Sequence, residues 1–184
     1  MLSAFVFTYE FAGHLLGLFG VNNLWLYNFA NFVWVLCTCI FYYYLLATTQ
    51  HKKWVIILSI IYLTGNAWLT FGYTFQSHAL NTQGIIFGSL VIILFSFLYL
   101  LEQSSSETTE PLTRNPCYYF CIAFICIHIV IIFINGMYNF LYSNYRSHAM
   151  VAFMIYFPVA GSVVFNFLVS KGFVCYLRNT KSGE

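Results

Sequence analysis

Two ionisable side chains, Glu10 and His14, stand four residues apart in an otherwise apolar stretch. On a helix that spacing puts them on one face and within reach of each other. Gly13 and Gly17 share that face, all four falling within about 100° of arc. A carboxylate and an imidazole so placed can share a proton or hold a polar ligand. Joined by His128, and by His78 or His148, they could also hold Zn²⁺ and activate a water. That last pattern is incomplete, because the sequence has no H-E-x-x-H, no two His at i, i+4 and no G-x-S-x-G. The expectation is therefore no metal and no cofactor. Gly13 and Gly17 form a G-x-x-x-G pair, which would let a partner helix approach closely.

Further polar residues recur at helical spacing in the other apolar stretches. Asn28, Asn31, Thr38 and Tyr42 lie in the second, and Ser59, Tyr62, Asn66, Thr70 and Tyr73 in the third. The fourth is plainer, with Ser89 and Ser96 seven apart. Cys121, His128, Asn135, Asn139 and Tyr142 mark the fifth, and Pro158, Gly161, Ser162 and Asn166 the sixth. A packing role is open to each of these, since membrane Asn and Ser commonly hydrogen-bond a neighbouring helix for about 0.6–2 kcal/mol. The ligand-binding reading gathers Glu10, His14, Asn28, Asn31, Asn66, Tyr73, His128, Asn135 and Asn139 around one polar cavity. It expects Glu10 to pair with His14 or His128, because a carboxylate near the bilayer midplane should face the bundle. His78, Asn81, Arg146 and His148 would lie in loops beside it. Tyr42, Tyr43 and Tyr44 read as an interfacial belt.

The elements that must position these residues follow from composition. The 184-residue chain is 61% hydrophobic and 7% charged, with seven basic and five acidic residues. Soluble domains carry about 25% charged residues, so there is too little charge here for a water-facing surface. Lipid is the solvent. A spanning helix takes about 20 apolar residues, and six segments qualify: about 2–21, 24–48, 54–75, 82–101, 117–142 and 149–177. The expected fold is an all-α integral membrane protein, a single bundle of six transmembrane helices. A polar, acidic segment at 102–116 reads as a flexible loop. With six spans, Lys52, Lys53, Arg114, Lys171, Arg178 and Lys181 share one side with both termini, and Arg146 alone lies on the other. The positive-inside rule makes the first side cytoplasmic. The polar residues then concentrate in the outer half, as a cavity opening outward.

A net charge of +2 with no basic patch argues against a nucleic-acid partner. The six Cys lie in or beside apolar segments and read as small buried hydrophobes, not a disulfide framework. The first segment has no Lys or Arg before it and no small-x-small site after it, so it reads as a retained helix.

Glu10 followed by Asn22-Asn23-Leu24-Trp25-Leu26-Tyr27-Asn28 resembles a group of small uncharacterised bacterial inner-membrane proteins. They share an acidic residue in one helix and N-N-x-W-L-Y-N at the start of the next, often with further helices before the acidic one. The resemblance is closest over about residues 8–45 and looser to residue 142. It implies a bacterial inner membrane and carries no activity. Size and six spans are also similar to the substrate-capture subunits of energy-coupling-factor vitamin importers. Ala4-x3-Thr8-x3-Ala12 matches the small-residue ridge that those subunits use for docking. The function expected is small-ligand binding, sensing or transport. The alternatives are a membrane scaffold or assembly subunit, and an intramembrane Glu/His metal-dependent hydrolase.

Overall fold

The computed structural model describes residues 8, 11–13, 15–20, 22–70, 72, 80–105, 112–143 and 148–181. Of 138–143, 148–151, 154 and 155 it describes the backbone alone. Helical residues 11–13 and 15–18 lead into α1 (Leu24–Leu45), α2 (Thr49–Leu69), α3 (Thr82–Ser105), α4 (Pro116–Ser143) and α5 (His148–Lys181). A 3-10 turn, Leu112–Arg114, precedes α4. No strand occurs among the described residues.

Four helical segments are long and apolar enough to cross a membrane: Leu24–Leu45, Thr82–Ser105, Pro116–Met137 and Tyr156–Thr180. They correspond to the second, fourth, fifth and sixth expected spans. The first falls largely outside the described residues. The third begins earlier than expected, at Thr49, and is not among the four. Gln50, His51, Lys52 and Lys53 make its first turn and lower its hydropathy.

Side-chain caps set two helix starts. Asn115 accepts from the N–H of Cys117 at 3.0 Å, with Pro116 in the first helical position, where its missing N–H is not needed. Asn81 accepts from the N–H of Gly84 at 2.9 Å in the same way at the head of α3. The expected flexible loop is shorter than 102–116, because α3 runs one turn further to Ser105. Glu102 is the reason. Its carboxylate reaches across to the loop between α1 and α2 and accepts from the N–H groups of Ala47 at 2.9 Å and Thr48 at 2.6 Å. His51 Nδ1 lies 3.2 Å from the same carboxylate. An anion there also faces the positive end of the α2 dipole.

Helix α3 is the hub, packing against α1, α2 and α4, while α5 packs on α4. Its buried side chains, Val91, Ile92, Phe95, Ser96 and Tyr99, point to both flanks. That fits its plain sequence: the flanks are packed by apolar side chains, and Leu90, Leu94, Phe97 and Leu101 make the open side apolar too. Val35, Cys39, Tyr42, Val55 and Tyr62 from α1 and α2 complete the core with Cys121 of α4. The apolar faces left open on the candidate spans, such as Leu101, Val163 and Phe167, are suited to lipid.

Tyr42 departs from the expected belt. Tyr44 is 77% exposed and fits an interfacial position, but Tyr42 is 0% exposed. Its hydroxyl sits 2.5 Å from Ser96 Oγ and 3.6 Å from Cys121 Sγ. Ser96 already donates to the Ile92 carbonyl at 2.9 Å, so the Tyr42 hydroxyl is the donor to Ser96. Tyr42→Phe strips Ser96 of that donor in a dry core, and should cost about 1 kcal/mol in unfolding measured in detergent.

Candidate functional site

Polar side chains gather in two adjoining places. The first is a closed amide network at the junction of α1, α2 and α3. Asn81 donates from Nδ2 to Asn66 Oδ1 at 2.7 Å and to Thr70 Oγ1 at 3.0 Å. Its own backbone N–H donates to Asn28 Oδ1 at 2.9 Å. Asn66 Nδ2 and Asn31 Nδ2 both donate to the Tyr62 hydroxyl, at 3.0 and 3.2 Å. Asn28, Tyr62, Asn66 and Asn81 are all buried. Gly84 makes this possible: a Cβ there would run into Asn66 Oδ1 and come within 2.5 Å of Asn81 Nδ2. Helix α3 carries a second glycine four residues on, Gly88, whose Cβ would meet Val35 and Tyr62. This pair lets α3 approach α1 and α2.

The second place is an open cavity of about 690 Å³ between α1, α3, α4 and α5. It begins at the end of the bundle marked by Leu24 and Leu80 and reaches Trp34 and Ser89. Its polar lining is Asn31, Ser89, His128, Asn135, Ser162 and Asn166. Trp34, Ile131 and Phe165 give it apolar walls, and Pro158 lies on its α5 side. Asn31 links the cavity to the amide network. A pocket of this size, mostly apolar with a few convergent polar groups, is the usual form of a small-ligand site.

His128 holds the central position. It is 4% exposed, and its Nδ1 lies 3.0 Å from Ser89 Oγ. Its other ring nitrogen, Nε2, is buried without a hydrogen-bond partner among the described residues. Ser89 and His128 share this one hydrogen bond, in which the hydroxyl or Nδ1–H donates according to the imidazole tautomer. Asn135 and Asn166 each spend Nδ2 on their own helix, donating to Ile131 O at 2.9 Å and Ser162 O at 2.8 Å. Each keeps a side-chain carbonyl that can accept.

The expected site residues therefore divide. Asn31, His128 and Asn135 line one cavity, whereas Asn28 and Asn66 both accept from Asn81 in the closed network. Glu10, His14 and Tyr73 lie outside the described residues, as does any pairing of Glu10. Asn139 is on α4 with its backbone alone described. Gly13 is approached from within the chain: a Cβ would fall 2.8 Å from the Tyr27 hydroxyl, and Asn23 Nδ2 donates to its carbonyl at 2.8 Å. The hydrolase alternative relied on Glu10 and His14. Among the described residues no three His, Cys, Asp or Glu side chains come together as metal ligands. Ser89 and Asn81 carry more of the site than their sequence context suggested. The available signals were Asn81 just ahead of a helix start and Gly84-x3-Gly88 behind it.

The chain matches no protein-family model, no curated protein and no solved structure.

Proposed function

We propose that this chain is a six-span membrane protein, both ends cytoplasmic, that binds a small ligand in a cavity opening on the outer face. The observation that carries the reading is the orphaned Nε2 of His128. A buried polar atom without a partner costs about 1–3 kcal/mol, and the residue that carries this one lines a cavity large enough for a ligand. A molecule with a hydrogen-bonding group for Nε2 and donors for the Asn135 and Asn166 side-chain carbonyls would satisfy all three. The apolar walls ask for a nonpolar body. Sensing and transport remain uses of the same binding step. The cell membrane is the site of action, and the resemblance to bacterial inner-membrane proteins supports that membrane in particular. The six-span topology rests on the gathering of six of the seven Lys and Arg at one end.

The reading is tested by native mass spectrometry of gently extracted protein, with a small-metabolite thermal-shift screen beside it. Wild type should retain or be stabilised by a discrete compound class. His128→Leu should weaken that binding at least tenfold, about 1.4 kcal/mol, while its unliganded melting temperature holds or rises. If no compound distinguishes wild type from His128→Leu, the cavity is a packing void and the reading fails.

A further inference from the structure

We propose that a pocket at the opposite end of the bundle binds a phosphate-type anion, carried either by an anionic lipid headgroup or by a soluble phosphate ester. This pocket has a volume of about 640 Å³ and is lined by Arg114, Lys171 and Arg178, with Tyr119 beside them. It lies at the end where Glu102 clamps the loop between α1 and α2, well away from the His128 cavity, and does not depend on that cavity's ligand.

The pocket is constructed rather than a chance gathering of surface charge. Lys171 and Arg178 are seven apart on α5 and so share a face. Between them Cys175 donates from Sγ to the Arg114 carbonyl at 2.9 Å, and Asn179 donates from Nδ2 to the same oxygen at 2.8 Å. These bonds pin the 3-10 turn Leu112–Arg114 to α5 and fix the backbone of Arg114 opposite the two α5 cations. Like charges held together repel, and proteins normally interleave a carboxylate. Among the described residues the ion pair is His51 with Glu102, and none involves Arg114, Lys171 or Arg178. Lys171 is offset by an aromatic face, its Nζ lying 5.8 Å over the Phe167 ring.

The chemistry selects the ligand class. Arg presents forked donors that match phosphate oxygens, and Lys adds a point charge. The Tyr119 hydroxyl can donate as well. Basic pockets between helices on the cytoplasmic side are where anionic headgroups settle, and Arg178 lies near the end of the apolar stretch Tyr156–Thr180.

The full chain in neutral phosphatidylcholine nanodiscs supplies the test. One arm adds phosphatidylglycerol to the bilayer and the other adds glycerol phosphate to the buffer, with bound anion read by native mass spectrometry. Saturable binding in either arm is expected, and the arm identifies the source. Arg114→Gln/Arg178→Gln should weaken it roughly twenty-five-fold, at about fivefold per charge. Lys52→Gln/Lys53→Gln removes the same charge at the same end of the bundle and should weaken it less than about twofold, being outside the pocket. Arg114→Lys/Arg178→Lys keeps the charge and loses the forked donors; it should lose about threefold and serves if the Gln pair does not fold. Equal losses in the pocket and control pairs would overturn the proposal, as would no binding in either arm or no loss in the Lys pair. So would binding seen only after Glu107→Gln/Glu110→Gln, since the chain's own acidic segment would then be the occupant.

Discussion

Gly84→Ala should destabilise the bundle by about 3 kcal/mol, the largest single effect expected from adding one carbon. In lipid the hydrophobic effect gives no preference for helix against helix, so close packing and hydrogen bonds must hold α3 in place. Both pass through Gly84. The added Cβ would overlap Asn66 Oδ1 and crowd Asn81 Nδ2, the two atoms that form the 2.7 Å bond at the centre of the amide network. Overpacking alone costs about 1–3 kcal/mol, and a lost interhelical amide bond adds about 0.6–2. Neither Asn can swing away cheaply. Asn81 is held by the Gly84 N–H that it caps, and Asn66 by its bond to the Tyr62 hydroxyl. Gly65→Ala is the matched control: nothing lies within 4 Å of a Cβ there, and the site is exposed inside α2. It should be neutral or stabilising by up to about 1 kcal/mol, from helix propensity alone. Unfolding of both variants in detergent checks the pair. Equal midpoints would show that α3 does not rest on its neighbours at Gly84.

Glu102→Ala should cost about 2 kcal/mol and loosen one loop specifically. Its carboxylate receives two backbone N–H groups and lies beside His51, joining the end of α3 to the start of α2. Hydrogen bonds to a charged acceptor contribute about 1.5–3 kcal/mol each when dry. Ala47 and Thr48 are exposed, however, so water can replace part of what the carboxylate gives. That puts the total near the value for a single dry bond. Glu102→Gln keeps one acceptor oxygen and loses the charge, so it should fall about halfway between. Hydrogen exchange should quicken at the amides of Ala47 and Thr48 in both variants and stay unchanged at the amide of Asn115, which donates to the Leu112 carbonyl at 3.0 Å. Uniform exchange across the three sites would mean that Glu102 acts globally and not as a clamp on this loop.

These two residues also mark where the sequence was readable. Periodicity of 3.6 revealed the stripe Ser59, Tyr62, Asn66 and Thr70 on α2, and Ser59, Tyr62 and Asn66 are buried as that pattern required. It could not say that Asn81, in a loop by the same reading, would be the residue that Asn66 and Thr70 bind. Nor could it separate Asn28 from Asn31. The two are three residues apart on one face of α1, yet Asn28 is committed to Asn81 while Asn31 also borders the open cavity. Tyr42 sits in a run of three tyrosines whose types look alike, and its burial depends on a rotation of α1 that places Ser96 and Cys121 opposite it.

Composition and spacing alone determined that the chain is helical and lipid-solvated, where its longest apolar elements lie, and which helix faces are polar. Those properties belong to one helix axis at a time, and a single sequence carries them directly. The tertiary structure decided which faces meet. It made the least patterned helix, α3, the hub, brought Ser89 to His128 and left Nε2 buried without a partner among the described residues, and set Arg114 against Lys171 and Arg178. The physical reason is that helix order and rotation are fixed by close approach at small residues such as Gly84 and Gly88 and by a few long-range hydrogen bonds. Both join residues tens of positions apart, and neither leaves a periodic trace.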